Sequence, residues 1–259
     1  MALIAMCCWD TIENGRSEYT QATLNSLAET VDRALHRIIV VDNASCEETK
    51  AVLNHYVKLG VIDQLITLDE NVGTAKAINK AWELRQPNEH CIKMDNDVVI
   101  HHKGWVDELE AAMERDTNIG IIGLKRKDCW ENPNHDNPFY RSTLEMLPHE
   151  AGQPWIVIEK VRHVMGTCQM FNSKLLDKIG YLYQPTLYGF DDCLAATRSE
   201  VAGFYNAFLP HIDIDHIDTG ATEYQGWKEQ VSGQAMVEFN RITQGYRNGE
   251  INIYSEATW

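Results

Sequence analysis

Cys91-Ile92-Lys93-Met94-Asp95-Asn96-Asp97-Val98-Val99-Ile100 decides how the chain is read. Residues 91–94 form an apolar run of the kind that makes a buried strand. The run stops at two carboxylates one residue apart. Alternate residues of a strand point to the same side, so Asp95 and Asp97 are expected to face one crevice. Two hard oxygen ligands there suit Mg²⁺ or Mn²⁺, and a cation so held can carry a diphosphate. The plain alternative is a polar turn closing a buried strand. What lifts the motif above that alternative is the pattern on either side.

Upstream, strand and helix alternate. Residues 3–8 read as a strand, and Asn14-Gly15 marks a turn. Leu24, Leu27, Ala28, Val31 and Leu35 then fall at helical spacing. Residues 37–41 are a β-branched strand ending at Asp42. A helix over 47–59 closes at Gly60, and a third strand covers 64–68. Asn71-Val72-Gly73 leads into a helix running to about residue 85. Such alternation with short links predicts an α/β fold with a mostly parallel, Rossmann-like sheet flanked by helices. Ligands of such sheets bind beyond the carboxyl ends of the strands. Asp42, Asn71 and Asp95 each follow such an end, so three stretches converge on one crevice. Neither G-x-G-x-x-G nor G-x-x-x-x-G-K-[ST] is present, which argues against a dinucleotide site and a P-loop.

Downstream the pattern loosens. A helix is expected over 104–115 and a strand over 119–124. Residues 125–153 show little periodicity and are expected to be an irregular, substrate-shaping lid. Strands over 155–161 and 166–171 and a short helix over 173–179 follow. Gly189-Phe190-Asp191-Asp192 opens a further helix, and 204–209 is a strand running into Pro210-His211-Ile212-Asp213-Ile214-Asp215-His216. The tail, 227–246, reads as a helix, and 251–254 as a small strand.

The chain has 259 residues, 44% of them hydrophobic, and a formal net charge of −15. That charge repels nucleic acid and anionic membrane. No apolar run approaches the roughly 18 residues of a membrane span. Residues 1–8 lack a basic flank and a cleavage site and read as a first strand, not a signal peptide. Seven cysteines without C-x-x-C spacing fit reduced thiols and a cytoplasmic location.

With these pieces in place, the chain resembles glycosyltransferase family 2, in its rhamnosyltransferase-like branch. The resemblance rests on Val41-Asp42-Asn43-Ala44-Ser45, on Asn71-Val72-Gly73 with Asn79, and on Asp95-Asn96-Asp97. It continues through Gly104-Trp105, Ile119-Gly120 with Gly123, Asp191-Asp192 with Arg198 and Gly203-Phe204, and Pro210 with His216. It departs from the family at Cys7-Cys8-Trp9-Asp10, where Pro and Asn are usual. It departs again at Ile78, where an Arg is common, and in having Asp-Asp for Glu-Asp.

The resemblance implies a GT-A domain over 1–216, with a nucleotide-binding half (1–100) and an acceptor half (101–216). Residues 217–259 are then a helical extension packed on it. It implies a metal-dependent, inverting transfer of sugar from a nucleoside-diphosphate sugar, expected to be a UDP-sugar, to a hydroxyl of a soluble or lipid-linked saccharide. Asp97 and His216 would ligate Mn²⁺ or Mg²⁺, with His211 and Asp213 a neighbouring alternative. Asp95 would serve the ribose and, through water, the metal. Asp42 would contact uracil, Asn71 and Gly73 would line the nucleotide, and Lys76 would supply the charge missing at Ile78. Lys228, beside Trp227, would close over the diphosphate. An acceptor hydroxyl needs a carboxylate to take its proton. Asp192 is the expected base, with Asp191 capping the helix, or the reverse. Arg198 either pairs with one of them or lies on the surface. Trp130, Tyr140, Trp155 and Tyr188 could stack on a sugar or base. Two other functions fit the same residues: glycosylation of hydroxylated bases in viral DNA, disfavoured by the charge, and non-catalytic nucleotide-sugar binding.

Overall fold

A computed structural model describes residues 1–128, 142–149, 151–218 and 223–256, with backbone only for 223–225. Inside its sheet, β1 (Ala2–Cys8) carries side chains that divide by parity. Ala2, Ile4, Met6 and Cys8 enter one core, while Leu3 and Ala5 enter the other, with Cys7 packed against it. A strand reads as continuously apolar when both faces are covered. The first core is roofed by α1 (Ser17–Thr30), α2 (Glu47–Lys58) and α4 (Trp105–Arg115). The second is roofed by α3 (Thr74–Trp82), α5 (Ser173–Ile179) and α6 (Asp191–Val201).

The remaining strands are β2 (Arg37–Asn43), β3 (Gln64–Leu68), β4 (His90–Met94), β5 (Val98–Val99), β6 (Ile119–Arg126), β7 (Thr143–Met146), β8 (Val157–Val161), β9 (Cys168–Phe171) and β10 (Tyr205–His216). The order is β3-β2-β1-β4-β9-β6-β10-β8-β7, with β5 pairing β10 off this path. β1 to β4 are parallel, as the alternation predicted. β9 runs antiparallel to both β4 and β6.

Several expected boundaries move. β6 extends to Arg126 and β7 forms an antiparallel pair with β8, so the stretch 125–153 is in part sheet. The lid expected there otherwise falls largely on 129–141, which lie outside the described residues, as do Trp130 and Tyr140. β10 continues through Pro210 to His216 because its register slips between Leu209 and Asp213, where an imide without N–H is tolerated. The expected strand at 251–254 is only an isolated bridge between Gly180 and Ser255. The tail is the long helix α7 (Glu223–Asn248), held on α6 by Leu194, Ile242 and Tyr246. No described helix is long and apolar enough to cross a membrane, and the described cysteines are free thiols.

Candidate active site

A crevice of about 740 Å³ opens where β1, β2 and β4 end, bounded across by the start of α6 and the first turns of α7. Asp95 and Asp97 both line it, though not by strand alternation. β4 stops at Met94, and Asp95-Asn96-Asp97 is a turn leading into β5. Asn96 anchors that turn. Its amide donates to Asp10 Oδ1 at 2.8 Å and to Thr20 Oγ1 at 2.7 Å. Asp10, fully buried at the end of β1, also accepts from the hydroxyls of Thr20 and Thr49.

The two carboxylates then serve opposite ends of the crevice. Asp97 Oδ2 accepts from Arg16 Nη2 at 2.6 Å and lies 3.5 Å from His216 Nε2. The β5–β10 pairing sets His216 opposite Val98, and Ile217 N–H donates to the Asp97 carbonyl. Burial alone would raise the Asp97 carboxyl, but His216 and Arg16 outweigh it and hold it well below the usual carboxylate range. Its Oδ1 is buried and accepts no hydrogen bond. A buried carboxylate oxygen with open lone pairs beside an imidazole fits a divalent cation. His211 is not part of this end: it is exposed and pairs with Glu108 at 2.6 Å.

At the other end, Asp95 pairs with Lys93 Nζ at 3.2 Å. Lys93 is 4% exposed and also lies 3.2 Å from Asp191 Oδ2, while donating to the Gly166 carbonyl at 2.9 Å. Burial opposes its charge, but Asp191, Asp95 and Asp192 outweigh that and hold the ammonium protonated well above its usual range. A Cβ at Gly166 would stand 2.6 Å from Lys93 Nζ, so a side chain there would push the ammonium from this position.

Asp191 and Asp192 both lie inside the first turn of α6. The N-cap is Phe190, in a left-handed conformation with no side-chain cap, so neither carboxylate fills the capping role expected from the sequence. Asp191 is nearly buried. Burial raises its carboxyl, only partly countered by Lys93. Asp192 is more open. Its Oδ2 accepts from Gly166 N–H at 3.0 Å and lies 3.1 Å from His163 Nε2, and its Oδ1 accepts from Cys193 N–H at 2.7 Å. Burial raises this carboxyl too, but the charge and hydrogen bond of His163 prevail and keep it ionised. His163 is shifted up in return, Asp192 outweighing burial.

Other expected residues separate. Asn71 lines the crevice and accepts from Asn43 Nδ2 at 2.8 Å and from Gly73 N–H at 2.9 Å. Gly73 has φ +87°, and a Cβ there would meet the Leu187 backbone at 3.0 Å. Asp42 is fully buried under the crevice wall, its Oδ1 accepting from Ser45 N–H, and Asn43 lines the crevice instead. Lys76 points away, exposed on α3. Arg198 neither pairs with the acidic residues nor lies on the surface. It is fully buried and donates to the carbonyls of Ile179, Tyr181 and Ile253, and burial lowers it to about 10. Trp155 stacks on His149 outside the crevice. Lys228 does reach it, 3.2 Å from Asp218, which also pairs with Arg16. Trp227 packs against Trp9 and Tyr188, with ring centroids 4.9 and 5.9 Å apart.

Arg16, Lys93, His163 and Asp218 escaped the sequence reading. Lys93 carried a usable signal, a lone charge inside a buried strand two residues from Asp95. The others sit in loops where spacing carries none.

Structures of the same architecture are GT-A glycosyltransferases. The mannosyltransferase PcManGT from Pyrobaculum calidifontis, in complex with GDP-Man and Mn²⁺, superposes with a TM-score of 0.64 at 15% identity, over 87% of this chain and 59% of that one. S. aureus TarS 1-349 with UDP-GlcNAc gives 0.59 at 15%, over 85% and 61%. GalNAc-T7 with UDP, GalNAc and Mn²⁺ gives 0.59 at 13%, over 83% and 44%. The chain thus spans about three fifths of the first two and less than half of the third. No curated protein matches the sequence. Residues 11–180, more than half of the chain, match the family described as Glycosyl transferase family 2, and the chain belongs to that family.

Proposed function

We propose that the protein transfers a sugar from a nucleoside-diphosphate donor to a hydroxyl acceptor with inversion at C1, the acceptor being a saccharide and the donor a UDP-sugar. The observation that carries this reading is the division of labour in one crevice. Asp97 and His216 form a cation-compatible end, and Asp191 and Asp192 form a carboxylate end facing it. Neighbours of the same fold at low identity hold GDP-Man with Mn²⁺, UDP-GlcNAc, and UDP with GalNAc and Mn²⁺, which supports a nucleoside-diphosphate sugar as the donor class.

Asp97 and His216 would hold Mn²⁺ or Mg²⁺, which supplies charge stabilisation to a departing diphosphate. Arg16 fixes Asp97 by occupying its Oδ2 and ties it to Asp218, leaving Oδ1 for the cation. Lys228, on the segment that carries Trp227 across the crevice, adds a positive charge on the diphosphate side. Asp95 faces the ribose and sugar from beside Lys93. Asp192 takes the proton of the acceptor hydroxyl as the new C–O bond forms. Three donors fix its carboxylate, and it is the more open of the pair. Asp191 stays bound to Lys93 and holds the helix start in place.

The test is release of free nucleotide from a panel of nucleotide sugars with Mn²⁺ and no acceptor. Turnover of at least one donor by the parent, and none by Asp97→Ala, is expected. A protein that binds donors but hydrolyses none, and transfers to no saccharide in a glycan panel, would instead be a binding protein.

A further inference from the structure

We infer that His163, Asp192 and Cys193 form a second cation site, soft and zinc-selective, distinct from Asp97 and His216. Filling it withdraws Asp192 from transfer, a consequence that rests on the base assignment above.

The three side chains come from two elements. His163 follows β8, and Asp192 and Cys193 are neighbours in the first turn of α6. Their donor atoms all lie within 4.8 Å of one another. His163 Nε2 is 3.1 Å from Asp192 Oδ2 and 3.5 Å from Cys193 Sγ. A tetrahedral zinc ion with bonds of about 2.0–2.1 Å to nitrogen and oxygen and about 2.3 Å to sulfur needs edges of about 3.3 Å and about 3.5 Å. Both separations match those edges to within a few tenths of an ångström before any side chain moves.

The donor chemistry separates this site from the first. Asp97 and His216 offer oxygen and nitrogen. The second site adds a thiol, which as thiolate favours zinc over manganese or magnesium. Burial and the nearby Asp192 carboxylate push the Cys193 thiol up, so the ion must displace its proton on binding. Asp192 is already oriented by the N–H groups of Gly166 and Cys193, the kind of outer support that metal ligands need. Access exists from two sides, since His163 lines the main crevice and also, with Cys193, a smaller cavity of about 140 Å³ under α7. Three protein donors leave one position for water. An ion there replaces the imidazole contact on Asp192 Oδ2 and draws charge from the carboxylate, which weakens it as a base for the acceptor hydroxyl.

Co²⁺ is the probe, added to the whole chain and read by absorption. A thiolate-to-cobalt charge-transfer band in the near ultraviolet, saturating at one ion per chain, is expected in the parent and in Asp97→Ala. It should be absent in Cys193→Ser, and in His163→Gln the ion should bind at least about tenfold more weakly. Circular dichroism checks that the variants are folded. A parent without the band, or a band that survives in Cys193→Ser, overturns the site. The second measurement is zinc inhibition of nucleotide-sugar turnover under excess Mn²⁺, expected at least about tenfold weaker in Cys193→Ser. A band accompanied by no zinc inhibition confirms the site and removes the base assignment instead.

Discussion

Replacing Asp192 by Asn separates chemistry from architecture. The exchange keeps the shape and removes the charge. In the parent, Oδ1 accepts from Cys193 N–H, and Oδ2 accepts from Gly166 N–H and faces His163. Asn offers one acceptor oxygen, so its amide must face one of the two backbone N–H groups, donor against donor. The imidazole can relieve part of this by turning a bare nitrogen towards the amide. Leaving one such donor unsatisfied costs about 1–3 kcal/mol. For a domain of this size each kcal/mol lowers Tm by about 2–4 °C, so a drop of about 2–12 °C is expected. The variant stays folded at 25 °C. Losing a general base costs about 10²- to 10⁴-fold in rate, or about 2.7–5.4 kcal/mol in the barrier. Donor and cation affinity, read by calorimetry, should hold while single-turnover transfer collapses. Asp191→Asn should lose less, because Lys93 keeps Asp95 and the Gly166 carbonyl. Transfer near the parent rate in Asp192→Asn with a dead Asp191→Asn would move the base by one residue. Activity in both would refute the mechanism, as would retained configuration at C1 by NMR coupling constants.

Asp97→Ala should abolish cation-dependent nucleotide binding without unfolding the chain, and unchanged calorimetric affinities for Mn²⁺ and nucleotide would remove the cation from this end. Arg198→Met strips three carbonyls of a charged donor and should destabilise the fold by more than about 3 kcal/mol, while the surviving folded fraction keeps its KM; a Tm within a degree or two of the parent contradicts the buried placement. With chelator present, His163→Gln should cost the most stability below about pH 6.5, because the His163 pKa is raised on folding. That contribution is lost as pH rises through the folded value, so the Tm gap should narrow at alkaline pH. A gap independent of pH would show that the Asp192 pairing carries no charge.

The sequence by itself determined the parallel half of the sheet and the place of the crevice. The continuous apolar run of β1 and the alternation of strands with helices through residue 94 are local patterns, and they state that both faces are covered and where strands end. It also held the D-x-D and acidic pairs, since each is contiguous in the chain. Only the tertiary structure decided which partners they meet. His211 and His216 lie on one strand, and the β5–β10 register alone brings the second to Asp97. Arg16 and His163 come from loops far apart in sequence and converge because β1 ends, and β9 begins, beside the end of β4, so the loop after β1 and the loop before β9 meet at one crevice. Arg198 reads as a surface or active-site charge by spacing, yet the 179–181 and 253 segments fold over it and supply its carbonyls. Asp42 follows the family pattern in sequence and Lys76 is expected to replace the Arg missing at Ile78, but β2 buries the first and α3 leaves the second exposed. Periodicity records the environment of a residue's own element. The convergence of separate loops is set by strand order and register, which no local spacing encodes.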